Sequence, residues 1–383
     1  MSPYSHTLHK TQNLITERTQ KLKYMKHKKQ RIILMKLWSF CLGSLCLGAC
    51  SSSSIEDEGP WTEAEKAPIT FGTSLSRAAV NTDTDGTLTG MQDYAVWGWY
   101  GYQSDGTLPP SGGEVQIFDQ TIVSYPSGMY EGTRYWEMNK TYRFYAVHPA
   151  GMKTVPLQFL EPLISSIPIG CQSNGTIWVR GFDASAFGAK AVDFMTGRSE
   201  PITTPASGKP APGPVALSFQ HELAKVNFVI LGAEADVTVT EVKLLGVGYQ
   251  GNFITPYTDH TTTWSNIQYT AETDNPATNP YKVGPFKMTP SDSDKNKNIF
   301  DGDLLLLPQQ LTETSRFIMS WEYKNGGQKR TVQVPFPQAG PDCWERGKSY
   351  VYSATIPAYE SDITLDVKVQ DWNKPIVVDV ELN

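Results

Sequence analysis

Reactive side chains are scarce in this sequence, and the motifs that organise them in enzymes do not occur. Its 383 residues include six histidines and five cysteines. No Gly-x-Ser-x-Gly, His-Glu-x-x-His, Cys-x-x-Cys or phosphate-binding glycine loop is present. Because nucleophilic, metal-assisted and nucleotide chemistry depend on such arrangements, the sequence predicts a chain that is not an enzyme and has no catalytic residue, metal or cofactor.

No apolar run reaches the roughly 20 residues that a membrane-spanning helix needs. The nearest approach follows Lys36, because residues 37–55 contain no charged side chain and only their first part is apolar. A basic start, a short apolar middle and a small-residue exit are typical of a secretory signal. The sequence therefore predicts an exported chain.

Cys50 directly follows Leu-Gly-Ala at residues 47–49, a pattern that resembles a bacterial lipobox. In a lipobox the signal is cut before the cysteine, which becomes an N-terminus acylated with fatty acids such as palmitate. We therefore predict that residues 1–49 are a leader and lipoprotein signal peptide, and that Cys50 is the lipidation site. Candidate start residues are Met1, Met25 and Met35. An ordinary secretory signal that happens to contain a cysteine is the alternative.

Positive charge is sparse once the leader is removed. Residues 1–49 carry nine of the 33 Lys and Arg and one of the 39 Asp and Glu, so residues 50–383 hold 24 basic and 38 acidic side chains. The net charge of that segment is about −14, against −6 for the whole chain. So acidic a surface repels phosphate backbones, which excludes nucleic acid as a partner.

Cysteine is too rare to build a disulfide framework. Cys41 and Cys46 leave with the signal and Cys50 carries the lipid, so only Cys171 and Cys343 remain. These two could pair in an oxidising envelope or stay reduced, and their spacing does not decide between the two states. Stability must then come from burying apolar surface.

Metal and histidine patterns are weak. Residues 292–303 begin like a calcium loop, but Lys297 stands where that loop needs glycine and Asp303 where it needs glutamate. We interpret this segment as a solvated turn. His148 and His221 lie among aromatic and apolar neighbours, which favours buried, hydrogen-bonded core residues over ligands.

Aromatic residues, by contrast, are plentiful, with ten Trp and 18 Tyr. Trp97 and Trp99 alternate along one predicted strand and therefore share a face. If exposed, they could stack on sugar rings, and if buried, they are core. The alternation favours the core.

Most of the chain is patterned as β-strand. Residues 363–369 alternate apolar and polar side chains, as a half-buried strand requires, and no amphipathic helix is recognisable. Proline and glycine are dense in residues 205–214, which predicts an extended linker. The predicted segments are a flexible tether at 50–66, an N-terminal β-sandwich at 67–204, the Pro/Gly linker at 205–214 and a C-terminal β-sandwich at 215–383.

A series of short motifs runs from residue 68 to the C-terminus. A strand followed by an arginine occupies residues 69–78, an aromatic strand follows at 96–100, and the most characteristic motif is residues 217–226. The remaining motifs are residues 135–136, 142–149, 192–195, 304–309, 344–350 and 369–372. Their order and spacing resemble the fimbrillin-like family of Bacteroidetes surface lipoproteins, the type V pilins and their accessory subunits.

The resemblance implies two transthyretin-like β-sandwich domains in tandem and a role in a pilus or in cell adhesion. In the polymerising members, an outer-membrane lipoprotein precursor is cut after an arginine near the first strand. The excised strand leaves a groove that a strand of another pilin subunit fills. By this resemblance Arg77 is the processing site, and the displaced groove fillers are Ile69, Phe71, Thr73 and Leu75. Alternatively, these residues form a permanent first strand and Arg77 is a surface residue.

The C-terminal segment contains a candidate donor strand. The last alternating strand contains Ile376, Val378, Val380 and Leu382. It could be donated to a neighbouring subunit or could complete its own domain, which would suit a tip or terminating subunit. A second interpretation of the whole chain is a cell-surface lipoprotein that binds glycan or a host or bacterial surface protein and never polymerises.

The lipobox makes a testable prediction. Metabolic labelling with a fatty acid should tag the exported chain, and Cys50→Ala should abolish the label, because the acylated thiol is gone. Cys46→Ala, which alters a cysteine removed with the signal, is the control and should keep the label. Label that persists in Cys50→Ala would contradict the anchor.

Overall fold

β-strands make up almost all of the regular structure. The computed structural model describes residues 66–72, 92–110, 112–152, 168–208, 212–256, 261–273, 275–291, 294–324, 329–358 and 363–372. Within these ranges the helical elements are a 3-10 turn at Gly188–Lys190 and a four-residue helix, α1 (Phe336–Ala339). The predicted all-β fold is thus confirmed. No helix in the described part of the chain is long and apolar enough to cross a membrane.

The strands follow one another closely along the chain. In chain order they are β1 (Tyr94–Tyr100), β2 (Val115–Ser124), β3 (Met129–Tyr130), β4 (Thr141–His148), β5 (Ile169–Cys171), β6 (Ile177–Asp183), β7 (Met195–Arg198), β8 (Ile202–Thr203), β9 (Ser218–His221), β10 (Ala224–Ala233), β11 (Val237–Leu245), β12 (Gly248–Thr255), β13 (Thr263–Tyr269), β14 (Lys282–Val283), β15 (Phe286–Met288), β16 (Lys297–Asn298), β17 (Leu304–Leu306), β18 (Gln309–Gln310), β19 (Arg316–Tyr323), β20 (Arg330–Pro335), β21 (Cys343–Trp344), β22 (Lys348–Ile356) and β23 (Asp366–Asp371).

These described strands form four sheets and one short ribbon. Sheet 1 runs β3-β2-β1-β4-β7-β9, and β8 also pairs with β4. Sheet 2 runs β13-β12-β6-β5. Sheet 3 runs β16-β10-β22-β23 with β17 also on β10, and sheet 4 runs β14-β11-β19-β20 with β15 also on β11. The ribbon joins β18 to β21. Strands β10 and β22 run parallel, whereas the other named pairs are antiparallel.

Sheet 1 buries both of its faces, because alternate side chains of a strand point to opposite sides. In the register of β1 and β4, Trp97 lies opposite Tyr145 and Gly98 opposite Phe144. Trp97 and Tyr145 enter one apolar cluster, while Phe144 enters another on the far side of the sheet. Two cores therefore share one sheet.

The three apolar clusters define the layers of the molecule. The central core lies between sheets 1 and 2 and includes Trp97, Trp99 and Tyr145 from sheet 1 with Val179 and Phe253 from sheet 2. A second cluster, which we call the slot core, covers the other face of sheet 1. It includes Ile69, Phe71, Phe118, Phe144 and Phe219. The C-terminal core lies between sheets 3 and 4, with Phe228 and Tyr352 packed on Val242, Phe317 and Met319.

A run of four leucines ties two cores together. Leu304 and Leu306 belong to the C-terminal core, whereas Leu305 and Leu307 belong to the central core. The two-residue period of a strand sends consecutive side chains to opposite sides, so one short strand serves both. Each leucine therefore packs in one cluster, while the run as a whole joins the two.

Strands from both sides of residues 205–214 meet in the same sheets. Strand β6 pairs with β12, and β7 pairs with β9. The division at 205–214 into two tandem domains stays a prediction, since the described sheets cross that position. All described residues fall within one compact unit, Trp61–Asn383.

The aromatic strand lies where its alternation predicted. Trp97 is 2% exposed and Trp99 6% exposed, both in the central core. Their faces are covered by protein, so neither forms an exposed platform for sugar rings. The prediction that these residues are core is confirmed.

Candidate functional site

A short extended segment, residues 67–72, lies in a groove on the slot-core side of sheet 1. Pro68 forms an antiparallel bridge with Tyr135, and Phe71 forms a parallel bridge with Val215. The segment is thus held between two stretches of chain that are distant from it in sequence. We call the groove between residues 134–136 and Val215 the first-strand slot.

Backbone hydrogen bonds hold the segment from both walls. The Ile69 amide donates to the Arg134 carbonyl at 2.8 Å, and the Trp136 amide donates to the Ala67 carbonyl at 3.0 Å. On the other side, the Val215 amide donates to the Thr70 carbonyl at 2.7 Å and the Gly72 amide to the Val215 carbonyl at 3.0 Å. These are main-chain contacts, so they set the register without depending on side-chain identity.

A tyrosine adds a further bond from the floor of the slot. The Tyr130 hydroxyl donates to the Ile69 carbonyl at 2.8 Å. A tyrosine hydroxyl is protonated at neutral pH, and burial raises the pKa of Tyr130 further. The same oxygen accepts from the Arg134 amide at 3.2 Å, which links floor and wall.

Side chains of the segment alternate strictly between core and solvent. Ala67, Ile69 and Phe71 are buried, at 6%, 1% and 4% exposure, whereas Pro68 and Thr70 are exposed. The Phe71 ring makes edge-to-face contacts with Phe118, Tyr130 and Phe144, with ring centroids 5.5–5.9 Å apart. Such pairs stabilise beyond their area burial, which makes Phe71 the main apolar anchor of the segment.

The backbone of Gly128 lies close to the backbone of the seated segment at Phe71. A Cβ atom on Gly128 would lie 2.2 Å from the Phe71 carbonyl oxygen, well inside van der Waals contact. Gly128 also has a φ of +68°, which side-chain-bearing residues rarely adopt. Glycine is therefore required here both by the turn and by the seated segment.

The wall at Arg134 is held independently of the segment. Its guanidinium Nε donates to the Ile117 carbonyl at 2.5 Å, and Nη1 donates to the carbonyls of Glu131 and Gly132. The same group lies over the Phe118 ring, 5.0 Å from its centroid. None of these side-chain contacts of Arg134 is made to residues 67–72.

Only part of the predicted site falls within the described residues. Ile69 and Phe71 share one buried face in the slot core. Thr73, Leu75, Arg77 and Cys50 lie outside the described residues, as do Ile376, Val378, Val380 and Leu382. The roles assigned to all of these residues stay predictions.

The two predicted core histidines are buried and hydrogen-bonded, which confirms that prediction. His148 Nε2 accepts from the Gln92 amide at 2.9 Å, and Nδ1 lies 2.9 Å from the Asp193 carbonyl. Burial lowers the pKa of His148, which keeps its ring neutral. His221 Nδ1 pairs with an Asp193 carboxylate oxygen at 2.8 Å, and its ring stacks on Trp372 at 3.9 Å.

The described cysteines form no disulfide, and the described loop carboxylates bond to neighbouring protein groups. Cys171 and Cys343 are free thiols, and burial raises the pKa of both. In the loop with calcium-like spacing, Asp294 accepts from the amide and hydroxyl of Thr289, both at 2.7 Å. Asp303 pairs with Lys225 at 2.9 Å. No cluster of metal-binding side chains occurs among the residues that the structure describes.

The walls of the slot were not identified from the sequence. Arg134, Tyr130 and Val215 lie about 60 to 145 residues from the segment that they hold, and no local pattern joins them to it. Among the residues around the slot, Gly128 has the clearest local sequence pattern, because the Ser-Gly pair to which it belongs is typical of a turn. Its contact with Phe71 depends on tertiary structure alone.

Comparison with known proteins gives one family and several structures. A family model described as fimbrillin-like matches residues 77–372. A fimbrial protein from Bacteroides vulgatus is 15% identical with a TM-score of 0.49, covering 80% of this chain and 99% of that chain. The tip fimbrial protein Mfa3 from Porphyromonas gingivalis is 11% identical with a TM-score of 0.35, covering 80% and 98%. The fimbrial anchor protein Mfa2 from Porphyromonas gingivalis is 9% identical with a TM-score of 0.35, covering 80% and 98%. No curated protein matches the chain.

The close contact at Gly128 predicts a selective effect on the slot. Gly128→Ala should increase amide exchange at Ile69 and Gly72, because the added methyl group meets the Phe71 carbonyl. Gly112→Ala is the matched control, since its φ of +70° is similar and its Cβ would meet nothing closer than 4.0 Å. Both changes carry a backbone cost of about 1–2 kcal/mol, so a difference between them reports the contact. Equal exchange at Ile69 and Gly72 in both variants, measured by mass spectrometry, would contradict it.

Proposed function

Because this chain belongs to the fimbrillin-like family, we propose that it is a subunit of a surface fimbria, in the shaft or as an accessory or tip adhesin. On this proposal the precursor is anchored in the outer membrane through a lipid on Cys50. Cleavage at Arg77 releases the first segment, and a strand from another subunit takes its place. The observation that carries the proposal is the seating of residues 67–72 in the first-strand slot, five residues before the proposed cut.

The energetics of the seated segment favour exchange. Burying the side chains of Ile69 and Phe71 contributes roughly 3–6 kcal/mol. The five hydrogen bonds to the walls and floor contribute roughly 2.5–7.5 kcal/mol together. Ordering six residues costs ~6–12 kcal/mol, so the segment is held with little net free energy. Its covalent connection to the rest of the chain then contributes much of its local concentration, and cleavage would remove that contribution.

An emptied slot would contain unsatisfied backbone groups and aromatic rings that had lost a packing partner. The amides of Trp136 and Val215 and the carbonyl of Arg134 would each lose a partner, and such groups are costly to leave unsatisfied. The rings of Phe118 and Phe144 would lose the edge of Phe71. An extended strand with alternating apolar residues satisfies both needs, because its main chain bonds the walls while every second side chain enters the core.

The proposed processing can be tested on the precursor purified from membranes in detergent. An arginine-specific protease should trim the chain after Arg77 and allow oligomers to form, because the slot can then accept a second strand. Mass spectrometry reads the cut and size-exclusion chromatography with light scattering reads the assembly.

Two variants control this test. Arg77→Ala should resist both trimming and assembly, while Arg77→Lys should resist the arginine-specific enzyme and recover both with a lysine-specific one. If Arg77→Ala is trimmed and assembles like the natural chain, strand exchange at this slot is contradicted.

The donor can be tested through the alternation of the last strand. Val378→Asp places a carboxylate among the apolar side chains proposed to enter a neighbouring slot, whereas Asp379→Asn alters the opposite face. Burying that charge should weaken subunit affinity at least ~10-fold, measured on trimmed chains, with Asp379→Asn unchanged. A lower unfolding midpoint of the untrimmed Val378→Asp precursor, together with unchanged assembly, would instead assign the strand to its own domain.

The alternative function is a cell-surface lipoprotein that binds a glycan or a surface protein without polymerising. It requires a ligand site rather than a slot. The same trimming experiment separates the two, since a chain that is cut after Arg77 but stays monomeric supports the alternative.

A further inference from the structure

The central-core side of sheet 1 contains a polar cavity of about 330 Å³. It lies on the face of the sheet opposite the first-strand slot. Arg143, Arg198 and Arg346 all line it, together with Glu222. Volumes of this order are at the lower end of those that hold small ligands.

Strand alternation explains how charged residues came to lie inside the sandwich. Arg143 shares a face of β4 with Tyr145, which packs in the central core. Arg198 shares a face of β7 with Thr196, and both line the cavity. At this end of the sheet the inner face thus changes from aromatic to basic. Arg143 is only 5% exposed.

Neighbouring groups hold the charged side chains in place. Arg198 Nη2 donates to the Thr255 hydroxyl at 3.2 Å and to the Pro256 carbonyl at 3.4 Å. Arg346 Nη1 donates to Glu222 Oε2 at 3.0 Å, and the Thr196 hydroxyl donates to Glu222 Oε1 at 2.5 Å. The cavity is therefore preorganised, which lowers the cost of binding a ligand.

The charge of the lining is the reverse of that expected for the exported chain. Three arginines line the cavity against two carboxylates, Glu200 and Glu222, which leaves a formal charge of about +1. Residues 50–383 together carry about −14. An excess of arginine inside so acidic a protein concentrates attraction for anions at one place.

We propose that this cavity binds the carboxylate of an acidic monosaccharide unit, such as a uronic or sialic acid. Guanidinium groups match a carboxylate with paired, parallel N–H donors, and a single negative charge balances the net charge of the lining. A phosphate, with close to two negative charges, is attracted more strongly by the three arginines and repelled more strongly by the two glutamates, so the planar geometry of the carboxylate, rather than its charge, is the basis of the assignment.

The mouth of the cavity supplies groups suited to sugar hydroxyls. Ser218 and Gln220 are exposed at its rim, and Ser199 lines it alongside Thr196. Hydroxyl and amide side chains both donate and accept hydrogen bonds, as recognition of several adjacent hydroxyls requires. The binding site does not depend on strand exchange, so it stands whether or not the chain polymerises.

Calorimetry on the full chain in detergent tests the site with D-glucuronate, N-acetylneuraminate, D-glucose and inorganic phosphate. The two carboxylate sugars should bind at least ~10-fold more tightly than glucose, which has the hydroxyls without the charge. Equal or absent binding of the acidic sugars and glucose would overturn the proposal. Phosphate binding tighter than both acidic sugars would overturn the assignment to a carboxylate.

Variants locate the site. Arg198→Met should weaken glucuronate at least ~10-fold, with folding checked by circular dichroism. Gln220→Glu changes only an exposed rim residue, and its added charge should weaken glucuronate by a similar factor even if Arg198→Met fails to fold. Gln333→Glu, an exposed strand glutamine in sheet 4, is the matched control and should bind normally. Unaltered binding in Gln220→Glu would place the sugar elsewhere and overturn the proposal.

Discussion

The alternation of side chains along strands that are buried on both faces is the constraint on which this structure depends. In sheet 1, Trp97 and Tyr145 point to the central core, and Val96 and Phe144 point to the slot core. A slip of one residue in either strand would exchange these sets and disrupt the packing of both clusters. Leu304 to Leu307 apply the same rule between the central and C-terminal cores. The sheets are therefore locked to one another through shared strands.

The two faces of sheet 1 carry different features, the seated first segment on one face and the arginine-lined cavity on the other. On one face, the slot core is completed by residues 67–72, a segment that precedes β1 in the chain and is held by isolated bridges instead of a full ladder. On the other, the aromatic packing of the central core gives way to Arg143 and Arg198. The proposed strand exchange on the first face and the proposed ligand binding on the second therefore involve different groups of the same strands.

Residues 67–72 are held by isolated bridges, so fewer backbone hydrogen bonds hold them than their burial suggests. Ile69 is almost fully buried, yet its segment bonds each wall at only two backbone positions beyond the Tyr130 contact. By contrast, the ladder between β10 and β22 involves eight paired positions. The pairing among the named strands of the four sheets does not involve residues 67–72.

Local sequence patterns predicted that the chain is nearly all β, that Trp97 and Trp99 are core, and that His148 and His221 are buried. These follow from local alternation, which is read over a few neighbouring residues and needs no knowledge of distant ones. Tertiary structure alone decided which segments meet. Val215 against Phe71, β6 against β12, and Arg346 beside Glu222 join residues separated by about 65 to 145 positions. Such pairings are chosen by the packing of whole sheets, which no short stretch of sequence encodes.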